Sequence, residues 1–269
     1  MQYDPIKRSL GKVFNSTPSL RKLFYRLLDL LLLRSWHIRR ELDQLKKEGF
    51  DPAHITDAGS GFGQYVYYLS KKFHHSKITG LDIKQEQVDD CNSFFSSIGL
   101  KERVLFQYAD LTKLEEKDCT DLVLCVDVME HIEEDRSVFQ RFYKRLKTGG
   151  VLLISTPSDQ GGSDVHHEHE ESFIDEHVRD GYGVEDIDEK LREAGFSDIH
   201  IRYSYGKPGK ISWKLSMKYP IQLANFSKLF LILLPFYYLL VYPVCYCLNR
   251  ADVRREHSTG TGLIVRCKK

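Results

Sequence analysis

At 269 residues the chain is long enough for one α/β domain with embellishments, and at 42% hydrophobic and 29% charged residues it has the make-up of a globular protein. Its net charge of +1 hides a partition: residues 1–50 carry 11 Lys and Arg against 5 Asp and Glu, residues 206–256 carry 8 against 2, and the body between them, 51–205, carries 17 against 31. That acidic body lacks the clustered cations that phosphate contacts need, which argues against nucleic acid as a substrate.

Six cysteines, at 91, 119, 125, 245, 247 and 267, form no C-x-x-C pair and sit mostly in apolar runs. They read as reduced thiols in a reducing compartment rather than as zinc ligands or disulfides. The opening MQYDPIKRSLGK is charged and is followed by no apolar run or cleavage site, so no secretory signal is expected.

Residues 1–50 form the first unit, a helical cap. Thr17-Pro18 is a helix start, with a hydroxyl able to cap and a proline where its missing N–H costs nothing. Leu20, Leu23, Phe24, Leu27, Leu28, Leu30 and Leu31 then recur at helical spacing, interrupted by Arg21, Lys22, Arg26 and Arg34, which predicts a basic amphipathic helix. Such a helix serves as a lid over a ligand or as a membrane-surface element. A second helix is expected over about 36–48, ending at Gly49.

The core, 51–206, alternates strand and helix, which predicts a parallel sheet covered on both faces. Strands are expected near 53–57, at 77–83 (KITGLDI), 103–108, 121–126 (DLVLCV) and 151–155, with helices at 134–146 and 184–194 and a sixth strand at 197–203. The first strand runs into DAGSGFG, residues 57–63, and then into the helical run beginning YVYYL. Glycines at 59, 61 and 63 let the main chain take angles closed to other residues and let a ligand approach it. A dinucleotide fingerprint would need a further glycine at 64 or 66, where Gln64 and Val66 stand, so the pattern disfavours a nicotinamide enzyme. Asp82, about 20 residues past the turn, suits a hydrogen bond to ribose hydroxyls, and Asp110 suits the amino group of a purine.

DAGSGFG, GLDI, YADL, DVMEHI and LKTGGVLLISTP stand in an order and spacing that resembles the class I S-adenosylmethionine-dependent methyltransferases, and DVMEHI is similar to the branch containing the ubiquinone O-methyltransferases. The resemblance implies a three-layer, doubly wound, seven-stranded sheet of the Rossmann-like kind. It also implies that Asp57, Gly59, Gly61 and Gly63 line the methionine end of the cofactor, that Asp82 and Ile83 hold the ribose side, that Asp110 and Leu111 address the adenine, and that Asp127 and Val128 flank the methyl donor. A divalent metal near the acceptor is associated with the same run, which extends that possibility to Asp127, Glu130 and His131. His131 fits equally a helix-start histidine beside an acidic neighbour. The loop after the fifth strand offers His166, His167 and His169 as further candidates for a catalytic base, or as a solvated polar loop.

In the resembled fold the last two strands form a hairpin, yet here residues 207–256 intervene before the final strand at 257–269 (GLIVRC within it). The insertion holds 21 uncharged residues, 229–249, which is long enough to cross a bilayer. A single crossing would strand the last sheet element on the far side, and Pro235 and Pro243 are expected to break the helix. Two readings remain: a broken helical hairpin dipping into one leaflet, or a lid packed over an apolar channel. The basic flanks favour the first.

Taken together these features predict an O-methyltransferase using S-adenosylmethionine on a hydrophobic small molecule or lipid of quinone, polyketide or prenyl type. Its expected place is cytoplasmic, peripheral on the inner face of a membrane, in contact through 17–34 and 219–250. The alternatives are a catalytically silent cofactor-binding scaffold on the membrane and an NAD-dependent oxidoreductase.

Overall fold

The computed structural model describes residues 17–115, 117–161, 178–226 and 230–269. Its apolar runs become β1 (His54–Ala58), β2 (Lys77–Asp82), β3 (Val104–Tyr108), β4 (Thr120–Val126), β5 (Leu146–Pro157), β6 (Ser197–Ser204) and β7 (Gly262–Lys268). They form one sheet in the order β3-β2-β1-β4-β5-β7-β6, parallel throughout except for β7, which runs antiparallel between β5 and β6. Helices α1 (Pro18–Leu31), α2 (Leu33–Lys47), α3 (Gln64–Lys72), α4 (Gln85–Ser97), α5 (Asp135–Arg145) and α6 (Val184–Ala194) accompany it.

β4 explains the three layers. Successive side chains of a strand point to opposite faces, and here Leu122 and Leu124 join one buried cluster with Ile38, Leu42, Val66 and Phe95 while Val123 and Cys125 join another with Val138, Phe139, Phe142 and Leu191. Both faces of the central strand are thus dry, as its unbroken apolar run requires. Strand order reverses between β1 and β4, and the crevice at the carboxyl ends of those two strands is where an open α/β sheet binds its ligand.

Two boundaries differ from expectation. β5 begins at Leu146, opposite Thr120, and carries Gly149 and Gly150 within it as an irregular start before regular pairing resumes at Leu122 and Val151. α2 begins at Leu33, because the chain turns once at Leu32, whose backbone is extended, and re-enters helix at once.

The insertion is a helical hairpin. Its outgoing leg is α7 (Lys207–Trp213), a π-helical turn at Lys214–Lys218 and α8 (Tyr219–Phe226); its returning leg is α9 (Phe230–Arg254). Antiparallel contacts fix the pairing: the Gly209 N–H donates to Asp252 Oδ2 at 2.9 Å, Ser212 Oγ to the Cys245 carbonyl at 3.4 Å, and the Tyr237 and Tyr238 hydroxyls to the Leu215 and Ser216 carbonyls at 2.7 Å. Pro235 and Pro243 do not break α9, contrary to expectation. A proline in a helix interior costs about 3 kcal/mol, and the contacts between the legs offset it. Within Ile232–Arg254 the most apolar 18-residue window is only 11% buried, so most of that stretch of the returning leg is uncovered by the described residues. Because β6 and β7 pair with each other, both ends of the hairpin stay on one side of the sheet edge.

Candidate cofactor site and its helical cap

Three glycines build the floor of the crevice. Gly59, Gly61 and Gly63 take φ of +77°, +50° and +83°, in the left-handed region where a side chain is strained. Gly59 is needed twice over, since a Cβ there would lie 2.2 Å from Val128 Cγ2. The turn is tied to β2 by three amides: Gly59 and Ser60 donate to the Leu81 carbonyl at 2.8 Å, and Gly61 donates to Asp82 Oδ2 at 2.8 Å. Asp82 Oδ1 accepts from the Lys84 amide at 2.9 Å, so this carboxylate shapes the turn and keeps one further lone pair on each oxygen for a ligand.

Around that floor stand four carboxylates in different states. Asp57, at the end of β1, is 1% exposed, and its Oδ2 has no partner among the described residues. Burial, and then the charge of Asp82, pushes its carboxyl up to about 8. The Ser60 hydroxyl is likewise buried and unpartnered. Asp127, just past β4, has φ +51° and donates its amide to the Ser155 carbonyl at 2.8 Å, while its carboxylate pairs with the Arg34 guanidinium. Asp110 is turned back on its own loop, with Oδ1 accepting from the Thr112 amide at 3.0 Å and the Thr112 hydroxyl at 2.7 Å. Leu111 is buried in the core beneath it, whereas Ile83 is exposed at the rim and offers the apolar surface there.

α1 and α2 close the crevice from above. Arg21 is buried, with Nη1 2.6 Å from Asp90 Oδ2, Nη2 donating to the Phe62 carbonyl at 2.8 Å, and its guanidinium over the Phe94 ring. The Tyr25 hydroxyl donates to the same Phe62 carbonyl. Two of the four cations that mark the first helix as basic, Arg21 and Arg34, therefore face the body rather than a bilayer. Leu23, Leu27 and Leu30 form the exposed stripe.

The metal reading is not supported by the geometry. Among the described residues no three His, Cys, Asp or Glu side chains come together in a metal-binding group. Asp127 is engaged by Arg34; Glu130 is buried and accepts from Thr156 Oγ1 at 3.1 Å, and burial, then the charge of Asp127, raises its carboxyl to about 8. His131 stands exposed beyond them in a single 3-10 turn. His166, His167 and His169 lie outside the described residues.

A methyltransferase-domain family model matches residues 51–195, more than half of the chain. The chain belongs to the class I S-adenosylmethionine-dependent methyltransferases. It is 31% identical over 153 residues to phosphoethanolamine N-methyltransferase 3 of Arabidopsis thaliana, a match covering 54% of this chain and 29% of that one, and 28% identical over 102 residues to the ubiquinone biosynthesis O-methyltransferase of Rickettsia bellii, covering 38% and 41%. The match thus spans less than half the length of either relative. In fold it is similar to phosphoethanolamine N-methyltransferase 2 of Haemonchus contortus in complex with S-adenosyl-L-methionine, at a TM-score of 0.59 and 21% identity, over 86% of this chain and 52% of that one.

The residues of this chain fit the cofactor. Asp57 Oδ2 and Ser60 Oγ, both buried and without a partner among the described residues, sit beside the glycine turn, where the Gly61 position is open enough that an added Cβ would meet only Gln87 Oε1 at 3.8 Å. Arg34, Tyr65 and Tyr205 complete the site and were not signalled by the sequence. The Tyr65 hydroxyl lies 3.2 Å from Ser35 Oγ, and the Tyr205 hydroxyl accepts from the Arg34 amide at 3.1 Å. One turn further along α2, His37 is fully buried at the root of the hairpin. Arg202 Nη1, which can only donate, lies 2.8 Å from His37 Nδ1, so the ring proton is on Nε2 and donates to Asp252 Oδ1 at 2.9 Å. Burial holds His37 down to about 4, which keeps that ring neutral.

Proposed function

We propose that the protein transfers a methyl group from S-adenosylmethionine to a hydrophobic acceptor, a lipid or a prenylated, quinone- or polyketide-type ring, at the inner, cytoplasmic face of a membrane. The observation that carries this reading is the hairpin, whose returning leg α9 presents an exposed apolar face and whose root meets α2 beside the cofactor crevice. Leu239 and Leu240 are 74% and 77% exposed on it, and Ile232, Leu233, Phe236 and Val244 are exposed with them. The α1 stripe continues that surface: Trp36 Nε1 donates to the Leu30 carbonyl at 3.1 Å and its ring meets Tyr246 edge-on at 5.2 Å. Trp and Tyr at such a junction match the headgroup level of a bilayer. Beyond Lys214 and Lys218 the outgoing leg has the eight residues of α8, about 12 Å, close to half of a ~30 Å hydrocarbon core. The hairpin therefore suits one leaflet.

The bound cofactor supplies a methyl on a sulfonium, open to in-line displacement. The protein's part is to hold the donor and keep water out, and positioning of this kind supplies about 7–11 kcal/mol. Arg34 and Asp127 present opposite charges side by side, complementary to the carboxylate and amino groups of the methionine end. Asp82 faces the ribose, Ile83 the adenine, and α1 roofs the glycine turn. Exposed His131, four residues beyond Asp127, is the candidate base. Oxygen as the acceptor atom follows from the DVMEHI run and the O-methylating relative; nitrogen is the second reading, favoured by the higher identity of the N-methylating one.

The test is flotation of the full chain with anionic vesicles containing total lipid extract of the source cell and labelled S-adenosylmethionine. Protein that floats and label that enters the lipid phase support the reading, and the labelled product identifies the acceptor atom. Protein that binds the cofactor yet neither floats nor labels lipid overturns the membrane acceptor and directs the search to soluble ones.

A further inference from the structure

α2 begins without a local cap. Its N-cap residue is Leu32, whose side chain can accept nothing; the Ser35 amide reaches the Leu32 carbonyl at 3.0 Å, but no side chain of the preceding turn caps the Arg34 amide. The Arg34 amide is satisfied instead from 171 residues away, by the Tyr205 hydroxyl. Tyr205 is the last residue before the hairpin, one position ahead of the Gly206 N-cap of α7. It holds φ at +54°, which is uncommon for any residue with a Cβ and an outlier for a bulky aromatic. Its own carbonyl accepts from the Thr261 amide at 3.4 Å, which fixes the turn from the β7 side. A backbone held in a sparsely populated region by its surroundings points to a use for the side chain it aims.

We propose that Tyr205 is a positioning residue for the cofactor: it caps α2 in place of a local residue and so holds Arg34 against Asp127 at the methionine end of the site. The inference rests on the cofactor reading given above. The Arg34 guanidinium lies between Asp127 and the hydroxyls of Tyr65 and Tyr205, and its reach is set by where the first turn of α2 starts. With the Tyr205 hydroxyl removed, the Arg34 amide loses its partner and the start of α2 is free to fray, and the side chain that moves with it is the one gripping the methionine end. The acceptor side of the reaction is untouched.

The test compares wild type, Tyr205→Phe, Leu32→Ser and the double variant for binding of S-adenosylhomocysteine by calorimetry, for KM and kcat toward S-adenosylmethionine, and for Tm. Tyr205→Phe removes only the oxygen and keeps the ring. Its expected result is a five- to tenfold weaker Kd and a similar rise in KM, with kcat within twofold and Tm within about two degrees of wild type. Leu32→Ser places a hydroxyl at the N-cap, so the double variant is expected to recover most of the lost affinity. Tyr205→Phe that binds like wild type overturns the proposal, as does a loss of affinity that follows Tm and is not recovered by Leu32→Ser. A wild-type protein that does not bind S-adenosylhomocysteine removes the cofactor reading itself, and the proposal with it.

Discussion

At the scale of single residues, the site is a set of atoms left with unusual freedom or unusual constraint. Gly59→Ala adds a Cβ at 2.2 Å from Val128 in a backbone at φ +77°, and neither the turn nor β4 can give way without shifting Asp127, the neighbour of Val128. The left-handed strain alone costs about 1–2 kcal/mol. Loss of more than tenfold in S-adenosylhomocysteine affinity is expected by calorimetry, with a smaller effect on folding. Asp57 has the opposite problem, a buried carboxyl whose Oδ2 has no partner among the described residues and which burial pushes up to about 8. A group whose pKa is higher folded than unfolded binds extra protons in the native state, so the stability it contributes is full below the ordinary carboxylate range near 4 and is lost as pH rises toward 8. Without ligand, the wild-type Tm is expected to fall by several degrees relative to Asp57→Asn between pH 5 and pH 8 and to run parallel to it above. Parallel curves throughout would show that Asp57 is already ionised in the free protein.

At the scale of elements, the cap helix α2 meets the root of the hairpin through His37 with Asp252 and Arg34 with Tyr205. α1 reads as basic and amphipathic along the chain, yet Arg21 turns inward to the Phe62 carbonyl and Asp90, and what it shows to solvent is the Leu23, Leu27 and Leu30 stripe. α9 shows more apolar surface still. Leu239→Glu with Leu240→Glu alters side chains that touch almost nothing in the protein, so Tm and S-adenosylhomocysteine binding are expected to stay at wild-type values. Each leucine moved from water to hydrocarbon is worth about 1.5–3 kcal/mol, so the pair is expected to cut co-sedimentation with anionic vesicles by at least tenfold. Unchanged co-sedimentation would show that the hairpin face meets something other than lipid.

At the scale of the whole molecule, charge and topology decide orientation. The acidic body and the basic flanks noted in the sequence are real as totals, but α2 spends part of its positive charge internally: Arg34 on Asp127, Arg39 on Asp29 and Arg40 on the Val253 carbonyl. Lys207, Lys210, Lys214 and Lys218 lie on the outgoing leg of the hairpin, and in the proposed membrane reading they are the cations that would meet an anionic surface. The glycine turn, the acidic ends of β1, β2 and β4 and the alternation of strand and helix were all legible along the chain, because each is a local pattern: a φ requirement, a period of two, a strand end. The length of the apolar insertion was legible for the same reason. What only the tertiary structure decided are the pairings across long sequence distance, Arg34 with Asp127 at 93 residues and with Tyr205 at 171, and His37 with Asp252 at 215. The continuity of α9 through two prolines belongs with them, since it depends on tyrosine hydroxyls from one leg meeting carbonyls of the other. A hydrogen bond between side chains of distant elements leaves no periodicity in sequence, because its geometry exists only once the sheet has brought the carboxyl ends of its strands together.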